Sequence, residues 1–404
     1  MSRPGATRAL VFVSSTVLLD SIGFGLIIPV LPTLLVQLSG RPVERVAVDG
    51  GWLSFAYATM QFVIAPVLGS LSDRFGRRPV LLAAVACFGA DYLIMGFAPS
   101  IAWLFVGRLV SGAAGASYTP AYAYVADITP PERRAQSFGM ISAAFGIGFI
   151  LGPPLGGLIG GIGPRAPFFL AAILSLVNFV YGTFAIRESL PPERRRPFDL
   201  KRANPIGTLL QMRRHPAVSG VLAAMFLWTV GHQVMPSTWA FYTQYRFHWS
   251  PAMNGASLAA AGTIMALSQV FVLRLLVPRL GERRTALLGI GVAAIGYLGY
   301  ASASAGWMMF AWLPTWLFGA VVMPSTNGML SKRVTPDAQG ELQGALACVF
   351  SLSAIAGPPL MTQIFSRFAA VDAPIRFPGA AFAASAVLAG TAALIYRRAT
   401  RLMA

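Results

Sequence analysis

Residues 139–161 read GMISAAFGIGFILGPPLGGLIGG. The stretch is apolar from end to end, yet Gly148, Gly152, Gly156 and Gly160 fall at strict i, i+4 spacing. On a helix these four form one straight, bare groove. In water such a helix is poor, because each glycine costs about 1 kcal/mol against alanine. In lipid, a ladder of small residues lets two helix backbones approach closely. Pro153 and Pro154 remove donors in mid-stretch, so a kink is expected there. Residues 344–360, GALACVFSLSAIAGPPL, echo the stretch: Gly139, Gly152, Pro153, Pro154 and Leu155 recur as Gly344, Gly357, Pro358, Pro359 and Leu360, all at offset 205.

Composition says where such a stretch belongs. The chain of 404 residues is 56% hydrophobic and 11% charged, where a soluble protein has about 25% charged residues. An integral membrane protein is expected. The net charge of +17 does not point to nucleic acid, because the basic residues fall in short loops between apolar runs. Cys87 and Cys348 lie inside apolar runs and imply neither a disulfide framework nor a metal site. The first apolar run, about residues 9–38, is too long for a signal-peptide core and lacks a small-residue cleavage site. It is read as the first span.

A span needs about 20 residues. Twelve helices are expected, near 9–38, 48–71, 79–98, 101–124, 135–162, 166–187, 216–244, 252–276, 284–304, 307–330, 341–366 and 377–396. Residues 188–215 are charged and proline-containing, and they separate a six-helix bundle at 1–187 from a second at 216–404. Of the 31 basic residues, 24 lie at the termini or in even-numbered connections. Six lie in odd-numbered ones, and Arg108 lies inside a span. By the positive-inside rule both termini and the linker are cytoplasmic. Trp103, Gly115 and Pro120 recur as Trp307, Gly319 and Pro324, and Gly76 and Arg78 as Gly281 and Arg283. The halves therefore read as parallel repeats around a central cavity, the architecture of a secondary transporter.

An ionisable residue inside a span is a functional candidate, because burying its charge costs at least about 2.5–3.5 kcal/mol. Asp20 falls near the middle of the first span and has no evident cationic partner, which suits a proton carrier. Asp91 and Arg108 lie equally far from the short turn joining spans 3 and 4, so they are expected to meet. Such a pair either holds helices together or forms a protonatable site that frees Arg108 when Asp91 takes a proton. The second half carries no acid inside a span. Its polar and aromatic residues, with His232, Gln233, Trp239 and Asn327 foremost, are read either as helix packing or as the wall of a cavity for an aromatic, multi-ring ligand. There is no phosphate-binding loop, HExxH, CxxC or GxSxG motif, so neither an enzyme nor a primary ATP-driven pump is indicated.

The loop after span 2 reads GSLSDRFGRRP, from Gly69 to Pro79. It resembles the cytoplasmic gate signature of the major facilitator superfamily, and the resemblance implies a gating role for Gly69, Asp73, Arg74, Gly76, Arg77 and Arg78. The span 4 sequence GRLVSGAAGA resembles that family's proton-linked arginine motif, which falls on Arg108. Gly139, Gly148, Gly152, Pro153, Gly156 and Gly157 match its antiporter motif, which implies a sealing contact between the halves. LLDSIGFGLIIPVLPTLL, YVADITPPERRAQSFG, FYTQYRFHW and LGERRTALLG are similar to the tetracycline-efflux group over nearly the whole chain. That group's important positions fall on Asp20, Asp73, Arg77, Asp91, Arg108, Asp127 and Gln233, with Arg134 in the same loop motif as Asp127. Where tetracycline exporters carry a span 8 histidine and a span 9 aspartate, this chain has Met265 and Ala293.

The resemblance implies a monomeric drug–proton antiporter of a bacterial inner membrane. It would have no cofactor, with H+ as coupling ion and a divalent cation travelling with the substrate. Export of an unrelated antibiotic or metabolite is the alternative within transport. A sensor that kept the fold and lost turnover is the alternative outside it.

Overall fold

Glycine and proline set where the helices start, bend and stop. In the computed structural model the described residues are 3–198, 216–335 and 338–401. The linker's Lys201, Arg202, Arg213 and Arg214, and Asp337, lie outside them. The first span is two helices, α1 (Arg3–Ile27) and α2 (Leu31–Ser39). Pro29 and Pro32 lack the donors that would carry the ladder across the junction. Next come α3 (Val43–Phe75), α4 (Arg77–Phe97), α5 (Ile101–Gly115), α6 (Tyr118–Ile128), α7 (Arg134–Gly160) and α8 (Ala166–Ala185). Pro153 and Pro154 do not end α7, which runs through them.

The second half repeats the plan with more interruptions. Its helices are α9 (Pro216–His232), α10 (Val234–Phe247), α11 (Pro251–Leu267), α12 (Leu273–Ala301), α13 (Gly306–Ala311), α14 (Trp316–Gly319), α15 (Val322–Ser331), α16 (Gln339–Ala369) and α17 (Ala380–Arg401). A π-helical turn at Ser268–Val272 joins α11 to α12, and α12 bends at Gly281, where φ is +74°. Among the described residues, ten helical stretches are long and apolar enough to cross a membrane. One of them, Pro251–Ser302, holds two crossings separated at Gly281, and α5 with α6 supply the remaining one. The fold is all-α with twelve spans, as the apolar runs predict.

The contacts divide into two units. The first holds Met1–Arg41, Ala56–Ala203 and Ser250–Ala259; the second holds Pro42–Phe55, Asn204–Trp249 and Ala260–Ala404. In the first unit α1 packs on α7 and α8, and α4 packs on α5 and α8. In the second α9 packs on α16 and α17, and α12 on α15 and α17. Span 1 meeting spans 5 and 6 is thus matched by span 7 meeting spans 11 and 12. The backbone repeats too: Gly76 (φ +102°, ψ 162°) and Gly281 (φ +74°, ψ 161°) hold the same conformation 205 residues apart, one essentially restricted to glycine. Large apolar side chains such as Leu158, Phe184, Val387 and Leu394 point outward, as a lipid-facing surface requires.

Candidate functional site

Asp91 on α4 and Arg108 on α5 meet as expected. Arg108 Nη2 donates to Asp91 Oδ2 at 3.1 Å, and Asp91 is fully buried. The same nitrogen lies 2.8 Å from Met95 Sδ, and the guanidinium sits 5.6 Å from the Tyr57 ring centroid. Gly107 makes the room: a Cβ there would lie 2.6 Å from Asp91 Oδ1. The pair is incompletely satisfied, since among the described residues Asp91 Oδ1 and Arg108 Nε are buried without a hydrogen-bond partner.

Asp20 stands apart from this pair on α1. Among the described residues its carboxylate has no ion pair or hydrogen bond. It lines a small cavity with Thr16, Ser117 and Tyr118. Tyr57, Tyr92 and Tyr118 lie within electrostatic reach of it. Tyr92 also adjoins Asp91 in sequence and feels both carboxylates.

The arginine-rich turn after α3 is a hub. Arg77 Nη1 pairs with Asp73 at 2.6 Å and donates to Ser72 Oγ at 3.0 Å, and Arg77 Nε reaches Asp127 at 3.4 Å. Arg78 donates to the Thr183 carbonyl at 2.8 Å. Arg74 lies over the Phe75 ring, and Arg134 donates to the Thr129 carbonyl at 3.3 Å. Gly69 has ordinary space beside Thr119. Glu188 has no motif to announce it. Its carboxylate accepts the backbone N–H groups of Arg77 (2.8 Å), Arg78 (3.2 Å), Ser189 (3.0 Å) and Leu190 (3.0 Å). It thereby satisfies donors that a helix N-terminus leaves open. A Cβ on Gly76 would fall on that carboxylate. Ser189 donates to Asp127 at 3.1 Å and Arg196 N–H to the Asp73 carbonyl at 3.1 Å, so the linker's first turn rests on the motif.

The glycine ladder faces α1. A Cβ on Gly148 would lie 2.5 Å from the Leu18 carbonyl oxygen, and one on Gly152 2.7 Å from that of Ile22. Gly156 and Gly160 abut Leu26 and Val30 in the same way. The ladder face is filled by α1, because that helix offers Ser21 and Gly25 along a matching narrow face. Gly157, on the neighbouring face, meets Pro251 and Ala252 of α11, and Gly255 of α11 meets the Pro153 carbonyl, so the motif also touches span 8, from the half at 216–404. Gly139 has nothing near it.

In the second unit His232 Nδ1 is hydrogen-bonded to Tyr297 Oη at 2.8 Å. Its ring stacks on Trp228 at 5.8 Å and meets Trp316 edge-on at 6.0 Å. Trp239 is buried behind this group, against Tyr300, Trp316 and Phe382. Gln233 marks the α9–α10 break and packs on Gly357. Three spans lose regular helix in this unit: at Gln233, at Ser268–Val272 and around Leu313–Thr315. Ser268 Oγ donates to the Leu317 carbonyl, tying two of the breaks together. Asn327 is not part of the group. It accepts from Gln343 Nε2 at 2.8 Å and from Ser331, beyond the broken stretch of its span.

The model of the Major Facilitator Superfamily matches residues 13–314 and 275–402. The chain belongs to the major facilitator superfamily. Among its relatives, the class C tetracycline resistance protein of Escherichia coli is 42% identical over 364 residues, 90% of this chain and 91% of that one. The class G protein of Vibrio anguillarum is 42% identical over 377 residues, covering 91% and 92%. A bacterial homolog of the human lysosomal transporter Spinster, solved in an inward-facing, occupied conformation, superposes with a TM-score of 0.81 at 16% identity over 99% of this chain and 98% of that one. That likeness speaks for the fold alone.

As a superfamily member the chain is a multi-pass membrane transporter and not an enzyme. Asp73 and Arg77, where the resemblance places the gate motif, are in contact here, with Asp127 as third partner. Sequence reasoning missed Glu188, Tyr57 and Met95. Glu188 is one more charge in a charged linker, and the other two act through packing that only the helix crossing reveals.

Proposed function

We propose that the chain exports a flat, amphiphilic compound of the tetracycline class in exchange for protons, by alternating access. Asp20 and Asp91 carry the protons, Arg108 answers the charge of Asp91, and Asp73 with Arg77 latch the gate. The carrying observation is the incompletely satisfied Asp91–Arg108 pair. A pair kept only to join two helices would have its remaining lone pairs and protons met; here one atom on each partner goes unmet, which suits a pair that must open. The relatives' names supply the substrate class. The aromatic group around His232, in which His232 and Trp316 are half-buried, suits such a compound. The protein is taken as a monomer of a bacterial inner membrane with both termini cytoplasmic, and a divalent cation accompanies the substrate. Proton-gradient-driven tetracycline uptake in inverted vesicles tests the reading. Asp20→Asn and Asp91→Asn should each abolish it, and full uptake by both would refute the coupling assignment.

A second reading, export of a different compound, is favoured by Met265 and Ala293. Ala293 is buried against Gly319, so the carboxylate of the resembled exporters has no counterpart there. Susceptibility profiling of cells expressing the chain separates the two: a rise in tolerance to another drug without one to tetracycline would establish the second.

A further inference from the structure

The two halves differ where their sequences stand in register. The offset of 205 carries Gly69, Asp73, Arg77 and Asp127 onto Arg274, Pro278, Glu282 and Lys332. In the first unit this place is filled by contacts. A Cβ on Gly69 would touch Thr119 at 3.5 Å, and Arg77 pairs with both Asp73 and Asp127. In the second unit the signs are exchanged, with Lys332 Nζ paired to Glu282 at 2.6 Å. Pro278 brings no charge to the place of Asp73, and Arg274 stands in the place of Gly69. A cavity of about 340 Å³ opens beside that arginine, within the range of about 300–1,000 Å³ for small-molecule sites. Arg274, Val277, Pro278 and Glu282 of α12 line one side, and Pro324 and Ser325 of α15 the other. The acid in this wall is already taken by Lys332. Among the described residues Arg274 has no ion pair or hydrogen bond, and the buried Ser325 hydroxyl has no hydrogen-bond partner. Arg279, Arg283, Arg284 and Arg333 add positive charge to the same segments, and Glu282 is the one acid in 273–284 and 322–333.

We propose that this cavity holds the phosphate of an anionic phospholipid, with Arg274 as its cation and Ser325 as a hydroxyl donor. A guanidinium offers a planar fork of donors that matches phosphate oxygens. The surplus positive charge of the segment favours an anionic headgroup over a zwitterionic one. Depth favours a lipid over a free anion. Arg274 lies seven residues before the bend at Gly281, about 10 Å along the helix at 1.5 Å per residue. Leu275 and Leu280, on the same stretch, are exposed apolar side chains. A lipid can bring its phosphate to a snorkelling arginine there while its chains stay in apolar surroundings. A free phosphate would have to leave water for the same place.

Phosphatidylglycerol titrated into the full-length protein, in neutral-detergent micelles that also hold phosphatidylcholine, tests this when bound lipid is counted by native mass spectrometry. The parent should retain one phosphatidylglycerol in preference to phosphatidylcholine. Arg274→Ala should weaken that binding by at least about tenfold, the size of one lost charge-assisted hydrogen bond, and Arg274→Lys should restore part of it. Arg284→Ala, outside the cavity wall, should weaken it less. Ser325→Ala gives an independent check. In phosphatidylcholine alone it should unfold no lower than the parent, because it deletes an unmet hydroxyl. With phosphatidylglycerol present it should gain less stability than the parent gains. Equal phosphatidylglycerol binding by the parent, Arg274→Ala and Ser325→Ala would overturn the site. Equal losses from Arg274→Ala and Arg284→Ala would overturn the cavity in favour of a diffuse basic surface. Inorganic phosphate that displaces the lipid at equal concentration would overturn the lipid as occupant.

Discussion

At the scale of single residues, the chain puts its few buried charges where neighbours have been cut back to admit them. Gly107 is the clearest case. A methyl group there collides with the carboxylate of Asp91, so Gly107→Ala should cost about 1–3 kcal/mol by overpacking, read as a lower midpoint of thermal unfolding in detergent. Removing one partner of the pair is more severe. Arg108→Ala leaves a buried, uncompensated Asp91 and should cost about 3–5 kcal/mol unless Asp91 takes up a proton. Raising the pH should then destabilise Arg108→Ala more than the parent, which unfolding at two pH values would show. Asp20, Asp91 and Arg108 were legible in the sequence because charge is rare inside apolar runs. Tyr57 and Met95 were not, because rings and thioethers are ordinary residents of a span. Their importance comes from what stands opposite. Asn327, read together with His232 because both are polar residues in spans, bonds Gln343 and Ser331 instead of the rings around His232.

At the scale of elements, the glycine ladder and the linker's first turn carry the predictions. Gly156 is so close to the Leu26 backbone that even alanine does not fit. Gly156→Ala should weaken the α1–α7 contact and lower both stability and export, while Gly139→Ala, with open space, should leave both unchanged. Growth on drug together with the yield of folded protein checks the contrast. Glu188→Ala removes the carboxylate from the start of α4. Losing such a cap costs about 0.5–2 kcal/mol, and the Ser189–Asp127–Arg77 contacts should loosen with it, measurable as faster amide exchange at Arg77 and Arg78. The ladder's existence was plain from i, i+4 spacing, but its partner was not. A bare groove accepts any narrow helix, and what selects α1 is the matching run of Ser21 and Gly25. Likewise nothing in a charged linker says that one glutamate folds back 111 residues to cap a helix.

At the scale of the whole molecule, hydropathy, arginine placement and the offset of 205 carried most of the architecture, since a bilayer leaves few other solutions. The interruptions were harder to foresee: the π-helical turn at Ser268–Val272 and the piecewise tenth span contain no residue that forbids a helix outright, apart from Pro314 and Pro324. The arginine asymmetry predicts that alkaline phosphatase fused after Arg401 is inactive and that the same enzyme inserted at 162–164 is active; the reverse would invert the topology. The two halves also offer something a single domain does not. Gly76 and Gly281 hold one backbone conformation, but the first has Glu188 against it and the second has nothing within 4 Å. Alanine at Gly281 therefore reports the strain of the bend by itself, about 1–3 kcal/mol. Alanine at Gly76 reports the same strain plus eviction of the linker. The protein thus contains its own control experiment, and the difference between the two substitutions weighs the docking of the linker without touching Glu188.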